Sequence, residues 1–123
     1  MTLPKIILVP TDFSDHAERA LDYAIELATA LGSTVYAAHF YSLTLTPLGE
    51  PYGFADTALK DIEDASNAAM ATLVARKARP GLKLVPMTRL GDTRTAVAEV
   101  VTEIGADLIC MGTHGRRGLS RCV

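Results

Sequence analysis

The chain has 123 residues, 49% hydrophobic and 21% charged, with a formal net charge of −2. That is long enough for one domain with a real core, and the charge balance offers no basic footprint for nucleic acid. No apolar run approaches the ~20 residues needed to span a bilayer, Met1-Thr2-Leu3-Pro4-Lys5 has no signal-peptide pattern, and Cys110 and Cys122 lack metal-ligand spacing, which together predict a reducing, cytoplasmic setting.

Ile6-Ile7-Leu8-Val9-Pro10 has no polar interruption, as expected of a strand covered on both faces of a parallel sheet. Thr11-Asp12-Phe13-Ser14-Asp15 follows, rich in N-cap residue types, and the Asp15/Glu18 spacing predicts a capping box. Ala17, Ala20, Leu21, Ala24, Ile25, Ala28 and Leu31 recur at helical spacing. Gly32 stands where a helix C-terminus takes the left-handed conformation. A second strand is expected over Val35–Tyr41. The segment from Ser42 to Phe54, rich in proline, glycine, serine and threonine, reads as a loop of a length more often functional or mobile than tight.

Thr57–Ala78 reads as a second amphipathic helix, with Leu59, Ile62, Ala65, Ala69, Leu73 and Val74 on one stripe and Pro80-Gly81 breaking it. Leu82–Leu90 is a third strand. Pro86 within it cannot donate to a ladder, which places the strand at a sheet edge. Gly91-Asp92-Thr93 opens a third helix carrying Ala96, Val97, Val100, Val101 and Ile104, and Gly105 ends it. Asp107–Met111 is a fourth strand, and it runs into Gly112-Thr113-His114-Gly115-Arg116-Arg117-Gly118.

The order βαβαβαβ implies parallel strands joined by right-handed crossovers. Ligands of such sheets bind beyond the strand C-termini, where the strand order reverses. The first and fourth strands end in the most loop-like polar clusters, Thr11-Asp12 and Gly112 to Gly118. Neighbouring strands would bring both to one crevice.

Asp12, directly after the first strand, reads either as an acceptor for a ribose hydroxyl or adenine amine, or as a turn and capping residue. Gly112 and Gly115 form a G-x-x-G suited to backbone approach to a phosphate, and equally a plain surface turn. Arg116 and Arg117 beside them would meet a phosphate or stand as a solvated pair. His114 reads as an exposed loop residue, since no acid or nucleophile lies at a diagnostic spacing. His39 reads as a satisfied core or rim histidine, and His16 as solvent-facing. Met111 and Phe40 end their strands and would wall an adenine pocket or simply fill the core. Cys110 reads as a small apolar strand residue and Cys122 as a free thiol able to cross-link chains. No Ser-His-Asp order, H-E-x-x-H, Walker A lysine loop or G-x-G-x-x-G is present. The chain reads as a binding module rather than an enzyme.

Three stretches resemble the universal stress protein family. These are Ile6-Ile7-Leu8-Val9-Pro10-Thr11-Asp12-Phe13-Ser14, Ala37-Ala38-His39-Phe40, and Ala106 through Arg121 with its Gly112-Thr113-His114-Gly115-Arg116-Arg117-Gly118 core. Gly91-Asp92-Thr93 supports them, and the likeness covers essentially the whole chain. It implies an α/β domain, flavodoxin-like or adenine nucleotide alpha hydrolase-like, with an open parallel sheet of order 3-2-1-4-5. It further implies an ATP site, with magnesium, at Pro10, Thr11, Asp12, Phe40, Met111, Gly112, His114, Gly115 and Arg116. Hydrolysis would be weak at most.

The family's phosphate motif continues from G-x-x-G through a spacer to Gly-Ser or Gly-Thr, and this chain ends at Val123 before that second half. The fourth helix and fifth strand of the family are therefore expected to be missing from residues 1–123, as in a truncated domain. Leu108-Ile109-Cys110-Met111 would then be an open edge and a template for self-association into a homo-oligomer. A nucleotide-free protein-interaction module of the same fold is the alternative reading. Neither reading calls for nucleic acid or membrane.

Overall fold

Strand β1, Ile6–Pro10, lies at the centre of the sheet. The computed structural model describes residues 3–42, 52–112 and 120–122, with 52–56 and 120–122 given by backbone course only. Its elements are β1, α1 (Asp15–Leu31), β2 (Thr34–Tyr41), α2 (Tyr52–Lys77), β3 (Lys83–Leu90), α3 (Thr93–Ile104), β4 (Leu108–Gly112) and β5 (Ser120–Cys122). The sheet order is β3-β2-β1-β4-β5. β1 to β4 are parallel, with Ile7 opposite Val35 on one side and Leu108 on the other. β3 is an edge strand, as Pro86 requires, and that proline sits opposite Ala37.

The continuous apolar run of β1 divides between two faces because successive side chains alternate. Ile7 and Val9, with Val35, Ala37 and Cys110, pack under α1 and α2, where they meet Leu21, Ile25, Met70 and Leu73. Leu8, with Ala38 and Phe40, packs against Ala96 and Val100 of α3 on the opposite face. A helix on each face buries both sides of the central strand.

Helix α1 starts one residue earlier than its sequence pattern suggests. Ser14, not Asp15, is the N-cap: its backbone is extended and its Oγ accepts from Ala17 N at 3.2 Å. The short hydroxyl reaches the third helical amide, so Asp15 falls inside the helix. Glu18 makes no capping box. Its Oε1 lies 2.6 Å from Arg76 Nη2 and its Oε2 lies 3.3 Å from Lys77 Nζ, which ties α1 to α2. Helix α2 also begins earlier, at Tyr52, so the expected loop to Phe54 is shorter at its end. No proline follows Pro51 until Pro80, and a helix can propagate across that whole stretch. Residues 43–51 of that loop lie outside the described residues.

The N-terminal rim of the sheet is closed by one carboxylate. Asp107 Oδ2 accepts from the backbone amides of Lys5 and Ile6, at 2.9 and 3.0 Å. These two bonds hold the Asp107 carboxyl below the usual carboxylate range. A depressed carboxyl contributes stability above its unfolded pKa and loses it as pH falls through the folded value. Asp107→Asn is therefore expected to lower the melting temperature at neutral pH and to flatten its fall on acidification below about pH 4. Melting curves at stepped pH for both proteins measure this, and parallel curves would refute it.

The other rim departs from expectation. β5 runs antiparallel along β4, with Cys110 opposite Cys122, Met111 opposite Arg121 and Gly112 opposite Ser120. The fourth strand is thus not an open edge over these residues. Cys110 is fully buried and disulfide-bonded, and Cys122 is the only other cysteine of the chain. The reading of Cys110 as a plain apolar filler is corrected accordingly, while the side chain of Cys122, read as a free thiol, lies outside the described residues. Directly opposed antiparallel residues bring their Cα atoms within disulfide range, a proximity that spacing along the sequence does not reveal.

Candidate functional site

The sheet's strand order reverses at β1, whose neighbours are β2 and β4. Beyond the C-termini of these strands lies a cleft of about 240 Å³, lined by Pro10, Thr11, Asp12, Ser14, Ala17, His39, Phe40, Thr93, Met111 and Gly112. Pro10, Thr11 and Asp12 come from the end of β1 and the turn after it. Phe40 comes from β2, and Met111 and Gly112 from β4. The two clusters separated by a hundred residues of sequence thus meet at one rim. His114, Gly115 and Arg116, with Arg117, lie outside the described residues.

The turn from β1 into α1 is closely tied. Thr11 is buried, and its amide donates to Ala38 O at 2.8 Å. Its Oγ1 accepts from Phe13 N at 3.0 Å. Asp12 Oδ1 accepts from Ser14 N at 2.9 Å, an Asx turn, while the residue itself is exposed. Phe13 is the one non-glycine residue with positive φ among the described residues, at 65°. A bulky side chain in that region costs about 1–2 kcal/mol, and the surrounding bonds must hold it there.

Gly112 meets the start of α1 at close range. A Cβ at this position would fall 2.5 Å from both C and O of His16 and 2.8 Å from Ala17 N. The missing side chain is therefore required by helix–strand packing alone. At the other end of the cleft, His39 Nδ1 lies 2.8 Å from Thr11 O, and the ring stands 4.5 Å from that of Phe13. His39 is the satisfied rim histidine the sequence suggests. His16 is half-buried rather than fully solvent-facing, with Arg19 Nη2 at 2.9 Å from its Nδ1.

Ser14, Ala17, His39 and Thr93 line the cleft without having been marked as candidates. Ser14, Ala17 and Thr93 belong to the starts of α1 and α3, and in a parallel α/β sheet every such start lies at the strands' C-terminal rim. That topological rule was the available signal. The same helix starts direct positive partial charge toward the cleft. Apolar walls from Phe40 and Met111, an acceptor at Asp12 and the two helix starts make an environment suited to a flat ring bearing hydroxyls and an anionic tail.

Residues 4–123 match the Universal stress protein family. A Thermus aquaticus universal stress protein, from the 3′ region of a QAH/OAS sulfhydrylase gene, is 33% identical over 111 residues, covering 90% of this chain and 78% of that protein. The crystal structure of a universal stress protein family member from Burkholderia pseudomallei is 29% identical, with a TM-score of 0.66, covering 93% of this chain and 85% of that one. A universal stress protein solved in complex with cAMP shares the fold at 24% identity and a TM-score of 0.54, covering 88% of this chain and 71% of that one.

Proposed function

Because the chain belongs to the universal stress protein family, we propose that it is a non-enzymatic stress-response protein whose cleft binds an adenine nucleotide. One observation carries the reading: Pro10, Thr11 and Asp12 share a single cleft with Phe40, Met111 and Gly112. Phe40 and Met111 wall the base, and the Asp12 carboxylate accepts from the ribose hydroxyls. Gly112 lets the backbone approach the phosphates, with His114, Gly115 and Arg116 as the further phosphate contacts the family resemblance implies. A cleft of about 240 Å³ holds a nucleoside-sized part of the ligand, being smaller than the ~300–1,000 Å³ typical of whole small-molecule sites. A related protein of the same fold is solved with cAMP, which supports an adenine ligand. ATP with magnesium and AMP are the nucleotides to try first.

We place the protein in the cytoplasm, as a single domain over residues 1–123. Reductants of that compartment would open the Cys110 disulfide. Among the described residues, no helix is long and apolar enough to cross a membrane.

Calorimetric titration tests the site. ATP with magnesium, and separately AMP, should bind the natural sequence with measurable heat. Asp12→Ala should weaken binding about tenfold or more, since hydrogen bonds to a charged acceptor are worth about 1.5–3 kcal/mol. No heat and no melting shift at millimolar nucleotide would defeat this reading and favour the nucleotide-free interaction module.

A further inference from the structure

A side chain of the neighbouring strand contacts the turn that carries Asp12. His39 Nδ1 lies 2.8 Å from the carbonyl oxygen of Thr11. A carbonyl oxygen only accepts, so this contact requires Nδ1 to be the donor. The same ring meets Phe13 at 4.5 Å between centroids, tilted by 44°, within the range of attractive ring pairs. Thr11 and Phe13 are the two residues flanking Asp12, and His39 touches both. Phe13 is held at a φ of 65°, a conformation its own bulk disfavours. Beside the His39 contacts, bonds from Phe13 N to Thr11 Oγ1 and from Ser14 N to Asp12 Oδ1 and the strand bond from Thr11 N to Ala38 O also shape the turn.

We propose that His39 is a positioning residue for nucleotide binding: its Nδ1–H bond to Thr11 O and its contact with Phe13 set the turn that aims the Asp12 carboxylate at the ligand's ribose. This rests on the adenine-nucleotide reading above. His39 touches no ligand atom in this scheme and acts through Asp12. The amide of asparagine can place a donor near the position of Nδ1, whereas leucine fills similar space and donates nothing.

Calorimetry with AMP and 2′-deoxy-AMP on the full chain tests the proposal. The natural sequence should prefer AMP about tenfold, the loss expected when a hydrogen bond to a charged acceptor is removed. His39→Leu should bring that preference close to one, and His39→Asn should restore most of it. In the Asp12→Ala background, His39→Leu should add no further loss, because both changes remove the same contact. A histidine that merely stabilised the fold would lower the melting temperature and leave the ribose preference intact, and that result would overturn the proposal. Should His39→Leu fail to fold, His39→Asn and the nitrogen chemical shifts of His39 in the natural protein still decide. A neutral ring protonated at Nε2 would refute the bond to Thr11. If the natural sequence binds neither nucleotide, the nucleotide reading falls along with this one. If it binds AMP without ribose preference, or if His39→Leu keeps the preference, the role of His39 alone falls.

Discussion

Gly112→Ala is expected to destabilise the protein by about 3 kcal/mol, at the upper end of what overpacking a close-packed site costs. The added carbon would stand 2.5 Å from C and O of His16 and 2.8 Å from Ala17 N. These are backbone atoms of the first turn of α1, so no rotamer change relieves the clash. Either β4 slides outward from its pairing with β1, or the start of α1 moves. The first disturbs Leu108 opposite Ile7 and Ile109 opposite Leu8. The second disturbs the Ser14 cap and the turn bearing Asp12. A melting temperature lower by roughly 10 °C is expected for a domain of this size. Gly105→Ala is the control. Its φ is 70° and no atom lies within 4 Å of the added carbon, so it should cost only the left-handed conformational term of about 1 kcal/mol. Equal losses in the two variants would show that the approach of β4 to α1 is looser than described.

The same residue shows where sequence reading stops. Gly112 follows a strand in a glycine-rich run, and that pattern is shared by phosphate loops and by tight packing. Only the distance to His16 exposes the packing demand. What repeats along the chain was legible. The uninterrupted apolar run of β1, the helical spacing from Ala17 to Leu31 and the proline in β3 each carry their structural meaning locally, and they led to the parallel sheet and its edge strand. The choice of Ser14 over Asp15 as N-cap was decided by one backbone angle pair, which no composition rule fixes. The meeting of Asp12 with Met111 and Gly112 followed from topology once β1 and β4 were taken as neighbours. The contact of His39 with Thr11 did not, because a strand histidine can turn to many partners and only the fold selects one. Cys110 was misread for the same reason: nothing local to it announces a partner beyond the following loop.

That pairing leads to the second large effect. Cys110 is disulfide-bonded beneath α1, with Cys122 opposite it in β5. A bond to Cys122, the other cysteine of the sequence, would close a loop of just over ten residues, and a cross-link of that span restricts the unfolded chain by about 3 kcal/mol in the loop-entropy account. Reduction should lower the melting temperature by an amount similar to Gly112→Ala. It should also change the surface. β5 pairs with β4 at Cys110, Met111 and Gly112, and release of this three-residue strand would leave those backbone groups unpaired on one side. Self-association is then expected in reductant and suppressed without it, read by light scattering at matched concentrations. Cys122→Ala should behave as the reduced protein in both buffers, with a melting temperature insensitive to reductant. A natural protein that melts identically with and without reductant, and keeps a monomeric mass in both, would show that β5 holds β4 without help from the cysteines. In that case the ladder from Cys110 to Gly112, rather than the covalent bond, would be what keeps the edge of the sheet closed.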